Sequence, residues 1–132
     1  MIRAMKRLFG GILVAVLATG SLLAARLDVT DGENGKDLIL RRGDLLTVTL
    51  NANHTTGYGW HPSLSREGIL MSKGAAVYQH GHTGMVGAGG TEIWTFRAVR
   101  EGKTTLTFGY VRPWEKGIAP VKTVAWPVTV RP

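Results

Sequence analysis

The chain contains no cysteine. Disulfide staples, a cysteine nucleophile and thiolate metal sites are therefore excluded, and any fold must be held by packing alone. Aromatic side chains make up only 8% of the sequence, so the places where they gather are informative. The nine acidic residues are dispersed, and no strand–turn–helix pattern presents a serine beside a base, which argues against an enzyme. No stretch of useful length repeats apolar residues at the helical period, and no internal repeat is visible. The formal charge is +7, yet Arg41, Arg42, Lys73, Arg97, Arg100, Lys103, Arg112, Lys116 and Lys122 are scattered along the chain. Nucleic-acid binding calls for basic residues on one face, interleaved with stacking aromatics, so no nucleic-acid partner is expected. His80-x-His82 lacks a clear third ligand beside His54 and His61, and neither metal nor other cofactor is expected.

One long hydrophobic run exists, and it is N-terminal. The opening M1-I-R-A-M-K-R7 carries Arg3, Lys6 and Arg7 and no acid. An apolar stretch follows from Leu8 to Ala25, broken only by Gly10, Gly11, Thr19, Gly20 and Ser21. A basic start, an apolar middle and small residues at the end read as a secretory signal peptide over residues 1–25, cut after Ala25. A cut after Gly20 is the second choice, and an uncleaved membrane anchor is the rival reading. Removing 25 of the 132 residues leaves 107, enough for one core, and lowers the charge from +7 to about +4. The expectation is an exported domain, residues 26–132, periplasmic or secreted, monomeric and without stable membrane association after cleavage.

Within that domain the period is two. Leu46, Val48 and Leu50 alternate with Leu45, Thr47 and Thr49. Trp94, Phe96 and Ala98 share one face, as do Leu106, Phe108 and Tyr110, and then Val124, Trp126, Val128 and Val130. Turn signals such as Arg42-Gly43-Asp44 and Glu101-Gly102-Lys103 separate the segments. This pattern predicts an all-β, antiparallel sandwich of about seven or eight strands, with a small closed barrel as the alternative. Residues 26–35 are polar and glycine-containing and read as a loose leader. Pro127 suggests that the last strand is an edge or is bulged there. His61-Pro62-Ser63 cannot easily resume a central strand.

Three connections are longer and richer than hairpins require: residues 51–60, 80–90 and 112–119. In the first, Gly57 permits a positive φ, and Asn53, Thr55 and Thr56 can brace the loop by bonding its own backbone. In the second, Gly87, Gly89 and Gly90 let backbone approach a partner closely. In the third, strand parity would bury Arg112 beyond Tyr110, at prohibitive cost if it were unpaired. The strand must therefore end before it, as Pro113 also suggests, which leaves Trp114 as an exposed anchor. Up-and-down strands would put the tight turns at one end and these three loops at the other, where binding residues concentrate.

The N-x-T-T-G-Y, G-x-G-G and R-P-W loops, in this order on an all-β chain, resemble the chagasin family, over about residues 36–131. The resemblance implies an immunoglobulin-like fold and reversible, noncovalent inhibition of papain-family cysteine peptidases. It places Asn53, His54, Thr55, Thr56, Gly57 and Tyr58 in the peptidase cleft, with Gly87, Gly89, Gly90, Arg112, Pro113 and Trp114 gripping its sides. The chain departs from the family where proline often follows the asparagine; here the residue is His54. A carbohydrate-binding or surface-binding module is the alternative, with Tyr58, Trp60 and Trp114 stacking on sugar rings.

Overall fold

The computed structural model describes residues 24–81 and 89–132. Among them are the strands β1 (Arg26–Thr30), β2 (Leu38–Arg41), β3 (Leu45–Ala52), β4 (Gly59–Leu64), β5 (Leu70–Ser72), β6 (Val77–His80), β7 (Gly90–Ala98), β8 (Gly102–Val111) and β9 (Lys122–Arg131). One sheet has the order β1-β3-β7-β5, with β6 beside β5 along the same edge of β7; the other has the order β2-β9-β8-β4. The inward faces are those the alternation marks. Leu46, Val48 and Leu50 meet Phe96 and Ala98 from one sheet and Leu106, Phe108, Trp126, Val128 and Val130 from the other. Phe108 lies at the centre, edge-on to Trp94, Phe96 and Trp126. The protein is an all-β, immunoglobulin-like sandwich held by apolar burial and edge-to-face aromatic contacts.

Three expectations change. Both sheets are mixed, because β1 runs parallel to β3 and β2 parallel to β9. Residues 26–35 are not a loose leader. Leu27 and Val29 alternate into the core as β1, and a capping box between Thr30 and Glu33 starts a short 3-10 turn, Asp31–Glu33. The polar residues that follow are spent on docking: the Asn34 side chain accepts from Ala125 N–H, and the Trp126 indole donates to the Glu33 carbonyl. Nor is β9 an edge strand, and its pairing with β8 continues through Pro127 in unbroken register. Pro127 stands opposite Thr105, whose N–H and C=O turn the other way, to the side chain and N–H of Ser65. Pairing with β2 begins only at Val128. No ladder bond is asked of the proline, so it fits a central strand. Pro62, by contrast, lies in β4, the open edge of its sheet, where a missing N–H costs least.

The register sets the two ends apart. Ala52 pairs with Gly90, Gly59 with Val111, Tyr110 with Lys122 and His80 with Gly90, so the 53–58, 81–89 and 112–121 connections leave from one end. At the other end, Gly43 N–H bonds Ala98 carbonyl and Arg42 N–H bonds Arg131 carbonyl across the tight turns.

Candidate functional site

The 53–58 loop is built on itself. Asn53 is extended (φ −131°, ψ 97°) and caps a single 3-10 turn, His54–Thr56, which Gly57 closes in the left-handed region at φ 82°. The Asn53 carboxamide oxygen accepts from Thr55 N–H at 3.1 Å and from the Thr55 hydroxyl at 2.6 Å. The Thr56 hydroxyl donates to the Asn53 carbonyl at 2.6 Å and accepts from Tyr58 N–H at 3.3 Å. The polar groups of all three side chains bond within the loop, which leaves short side chains and braced backbone at its exposed surface.

The third loop leans on the first. β8 ends at Val111, and Pro113 occupies the second position of a turn closed by Glu115 N–H to Arg112 carbonyl. Arg112 turns inward to the loop edge rather than out to solvent. Its Nε donates to the Thr56 carbonyl at 3.1 Å, its guanidinium lies 4.4 Å from the Tyr58 ring centre, and Nη1 faces Glu115 at 3.4 Å. Tyr58 in turn stacks on Tyr110, and Tyr110 tilts against Trp60. A guanidinium and three aromatic rings thus run in a column from the loop surface to the core. Trp114 is 64% exposed, yet its ring lies against Gly57: a Cβ at position 57 would meet Trp114 Cη2 at 2.3 Å. Gly57 is needed both for its φ and for the space beneath this indole.

Beneath the first loop lies a group that the loop motifs do not reveal. Glu92 of β7 is a buried carboxylate, 4% exposed. It accepts from Trp60 N–H on the open edge of β4 at 3.2 Å, from the Trp94 indole at 3.0 Å and from His54 Nε2 at 2.7 Å. Three donors satisfy the desolvated charge. Strand parity could have found it, because Glu92 shares the inward face of Trp94, Phe96 and Ala98. Tyr78 of β6 also goes unmarked in the sequence; its ring stacks on His54 with centroids 3.9 Å apart, and its hydroxyl reaches the Ala52 carbonyl.

Of the glycine loop, the described residues include only the stem. Gly81 N–H bonds the Gly89 carbonyl, and a Cβ on Gly90 would strike the Gln79 carbonyl and the Tyr78 ring, so Gly90 serves close packing inside the protein. Gly87 lies outside the described residues. The sugar-stacking platform is not formed: Trp60 is buried and Tyr58 is covered by Arg112 and Tyr110, which leaves Trp114 alone exposed of the three rings.

The comparisons with known proteins agree on one family. Residues 39–128 match the family described as Chagasin family peptidase inhibitor I42. Amoebiasin-2 of Entamoeba histolytica is 29% identical over 120 residues, spanning 91% of this chain and 97% of that protein. Chagasin of Trypanosoma cruzi is 29% identical over 92 residues, 65% of this chain and 81% of that one. The crystal structure of the cysteine protease inhibitor EhICP2 from Entamoeba histolytica aligns with a TM-score of 0.73 at 27% identity, over 82% of this chain and 97% of that one. With well over half of its residues matched, the chain belongs to the chagasin family of peptidase inhibitors.

Proposed function

We propose that this protein inhibits papain-type cysteine peptidases by seating the loop end of its sandwich on the active-site cleft. The 53–58 loop enters the cleft, with Arg112, Pro113 and Trp114 on one side and Gly87, Gly89 and Gly90 on the other. One observation supports this above the rest: the polar groups of Asn53, Thr55 and Thr56 are spent on bracing the loop itself, so the part that would meet a narrow cleft is a fixed turn bearing only short side chains. A rigid loop loses little entropy on docking, and Trp and Arg at its flank are the residue types that most often dominate interface energy. Inhibition is competitive and noncovalent, because the loop holds no activated nucleophile or electrophile.

The inhibitor acts outside the cytoplasm, as a monomer, after export directed by residues 1–25. Ala25 itself joins the fold, its carbonyl accepting from Leu45 N–H and its N–H bonding Asp44. A mature chain starting at Ser21 keeps both bonds, whereas one starting at Arg26 loses them. N-terminal sequencing of the exported protein distinguishes these boundaries.

Progress curves of papain and a cathepsin L-type enzyme against purified residues 26–132 test the inhibition. A nanomolar constant, about −12 kcal/mol, is the expected result. No inhibition by folded protein at micromolar concentration would refute it. Mass spectrometry after long incubation should find the chain intact between Asn53 and Trp60; stoichiometric clipping there would replace the wedge by a cleavable loop.

A further inference from the structure

The 53–58 turn is braced internally, and that bracing does not fix how the turn as a whole is aimed. Its bonds among Asn53, Thr55, Thr56 and Gly57 set the shape of the turn but not its angle to the strands, and being exposed they open more readily once a flank is released. Arg112 holds one flank, through the Thr56 carbonyl and the Tyr58 ring. On the other flank His54, whose side chain is 45% exposed, nevertheless has its imidazole held edge and face. Nε2 lies 2.7 Å from Glu92 Oε2, and the ring is stacked at 15° on Tyr78. Glu92 belongs to β7 and Tyr78 to β6. These are the strands on either side of residues 82–88, so one side chain joins the first loop to both stems of the second.

We infer that His54 is a positioning residue: with Glu92 and Tyr78 it sets the angle of the inhibitory turn and couples it to the stem of the glycine loop. Glu92 can serve this way because it is anchored. Trp60 N–H and the Trp94 indole hold the carboxylate from β4 and β7, leaving Oε2 directed at the imidazole. A charge-assisted bond to a fixed, buried acceptor is stronger and more directional than one to a mobile surface group. The inference rests on the inhibitory reading for its consequence, but the tie itself is a property of the free protein.

The test compares wild type, His54→Ala, His54→Pro, Glu92→Gln and the double variant His54→Ala/Glu92→Gln. Inhibition kinetics against papain, thermal midpoint and amide hydrogen exchange at residues 55–58 are read for each. His54→Ala should weaken inhibition about tenfold, the equivalent of about 1.4 kcal/mol. The loss should fall mainly on association, because the competent fraction of the loop drops, with little change in midpoint and faster exchange at residues 55–58. Adding Glu92→Gln to His54→Ala should weaken inhibition by less than about twofold more, since the bond the pair shares is already gone and the glutamine oxygen still serves the Trp94 indole and Trp60 N–H. His54→Pro separates positioning from direct contact. Proline suits the first position of the turn, the extended Asn53 suits the residue before it, and His54 N–H makes no bond among the described residues. Pre-set backbone should therefore keep inhibition within about threefold of wild type. His54→Pro as weak as His54→Ala would show that the imidazole touches the peptidase, and would overturn the inference. So would unchanged inhibition and exchange in His54→Ala. If wild type itself fails to inhibit, the inhibitory reading falls, and exchange in free His54→Ala still decides the tie: faster upholds it, unchanged refutes it.

Discussion

The two ends of the sandwich each contain a glycine with a left-handed backbone, and they use it differently. Gly43, in the β2–β3 turn, has φ 98° and nothing within 4 Å of where a Cβ would stand. Gly57, in the β3–β4 loop, has φ 82° and the Trp114 indole in that place. At the first end the glycine serves the turn alone; its neighbours join strand to strand through backbone bonds, with the Asp44 carboxylate accepting from Arg41 N–H and Ala25 N–H and Arg97 donating to the Gly43 carbonyl. At the second it serves the turn and a neighbouring loop together, and the loops are joined by Arg112, Trp114 and His54. A sandwich needs only the first kind of connection to fold. The second kind adds side-chain order to loops that contribute little to the core, and that investment is intelligible if the loop end meets a partner.

Substitution at Gly57 should give the largest effect. In Gly57→Val a β-branched residue is forced into positive φ, and its side chain displaces Trp114. Together these should cost about 3 kcal/mol of binding, a rise of more than a hundredfold in the inhibition constant. The strain should also lower the thermal midpoint, by at least the roughly 4–8 °C that 1 kcal/mol costs a domain of this size, so inhibition is compared at temperatures where the variant remains folded. A variant that inhibits like wild type would mean that the loop end is merely an elaborate turn.

Trp114→Ala comes next and separates anchor from core. An indole 64% exposed contributes little to stability, so the change should be no more than about 0.5 kcal/mol. Binding should lose about 2 kcal/mol, roughly thirtyfold. Midpoint and inhibition constant measured on one preparation decide the matter. A large melting shift with a proportionate loss of binding would assign Trp114 to the fold.

How far this contrast can be read from sequence differs by level. Alternation at Leu46–Val48–Leu50, Phe96–Ala98 and Val124–Trp126–Val128 marks core strands, because one face of each is buried and the other is not. The end of β8 before Arg112 follows from the cost of burying an arginine, and β8 does end at Val111. β1 escapes notice because its apolar signal is two residues, Leu27 and Val29, and because its partner, β3, is parallel and distant in sequence. Pro127 misleads because a proline's tolerance in a sheet depends on which side its nitrogen faces, and that is fixed by register rather than residue type. Within the loops, the bracing by Asn53, Thr55 and Thr56 is local and therefore legible. The ties from Arg112 to Thr56 and from His54 to Glu92 span 56 and 38 residues, and nothing in a linear pattern sets them.

Thr56→Ala should produce a smaller loss at the same end. It removes the hydroxyl that donates to the Asn53 carbonyl and accepts from Tyr58 N–H. The 2.6 Å bond is worth about 1 kcal/mol net and the long, exposed 3.3 Å bond adds little, so inhibition should weaken about fivefold. Amide exchange at Tyr58 should quicken alongside it. No change in either would leave the loop's shape to its backbone and to Gly57.

The smallest effect on inhibition should come from Gly43→Ala, which makes the same kind of backbone demand at the opposite end. Alanine at φ 98° is strained by about 1–2 kcal/mol, with no clash added because the surrounding space is open. For a domain of about a hundred residues, each 1 kcal/mol lowers the midpoint by about 4–8 °C. The variant should therefore melt visibly lower while its inhibition constant stays within about twofold of wild type at temperatures where it remains folded. Gly43 N–H bonds Ala98 carbonyl, the far terminus of the strand that begins at Gly90. If strain there travelled along β7 to Glu92, the loop end would feel it and inhibition would fall with stability. Parallel losses in the two readouts would show the ends to be coupled through β7, and the division of labour between them would no longer hold.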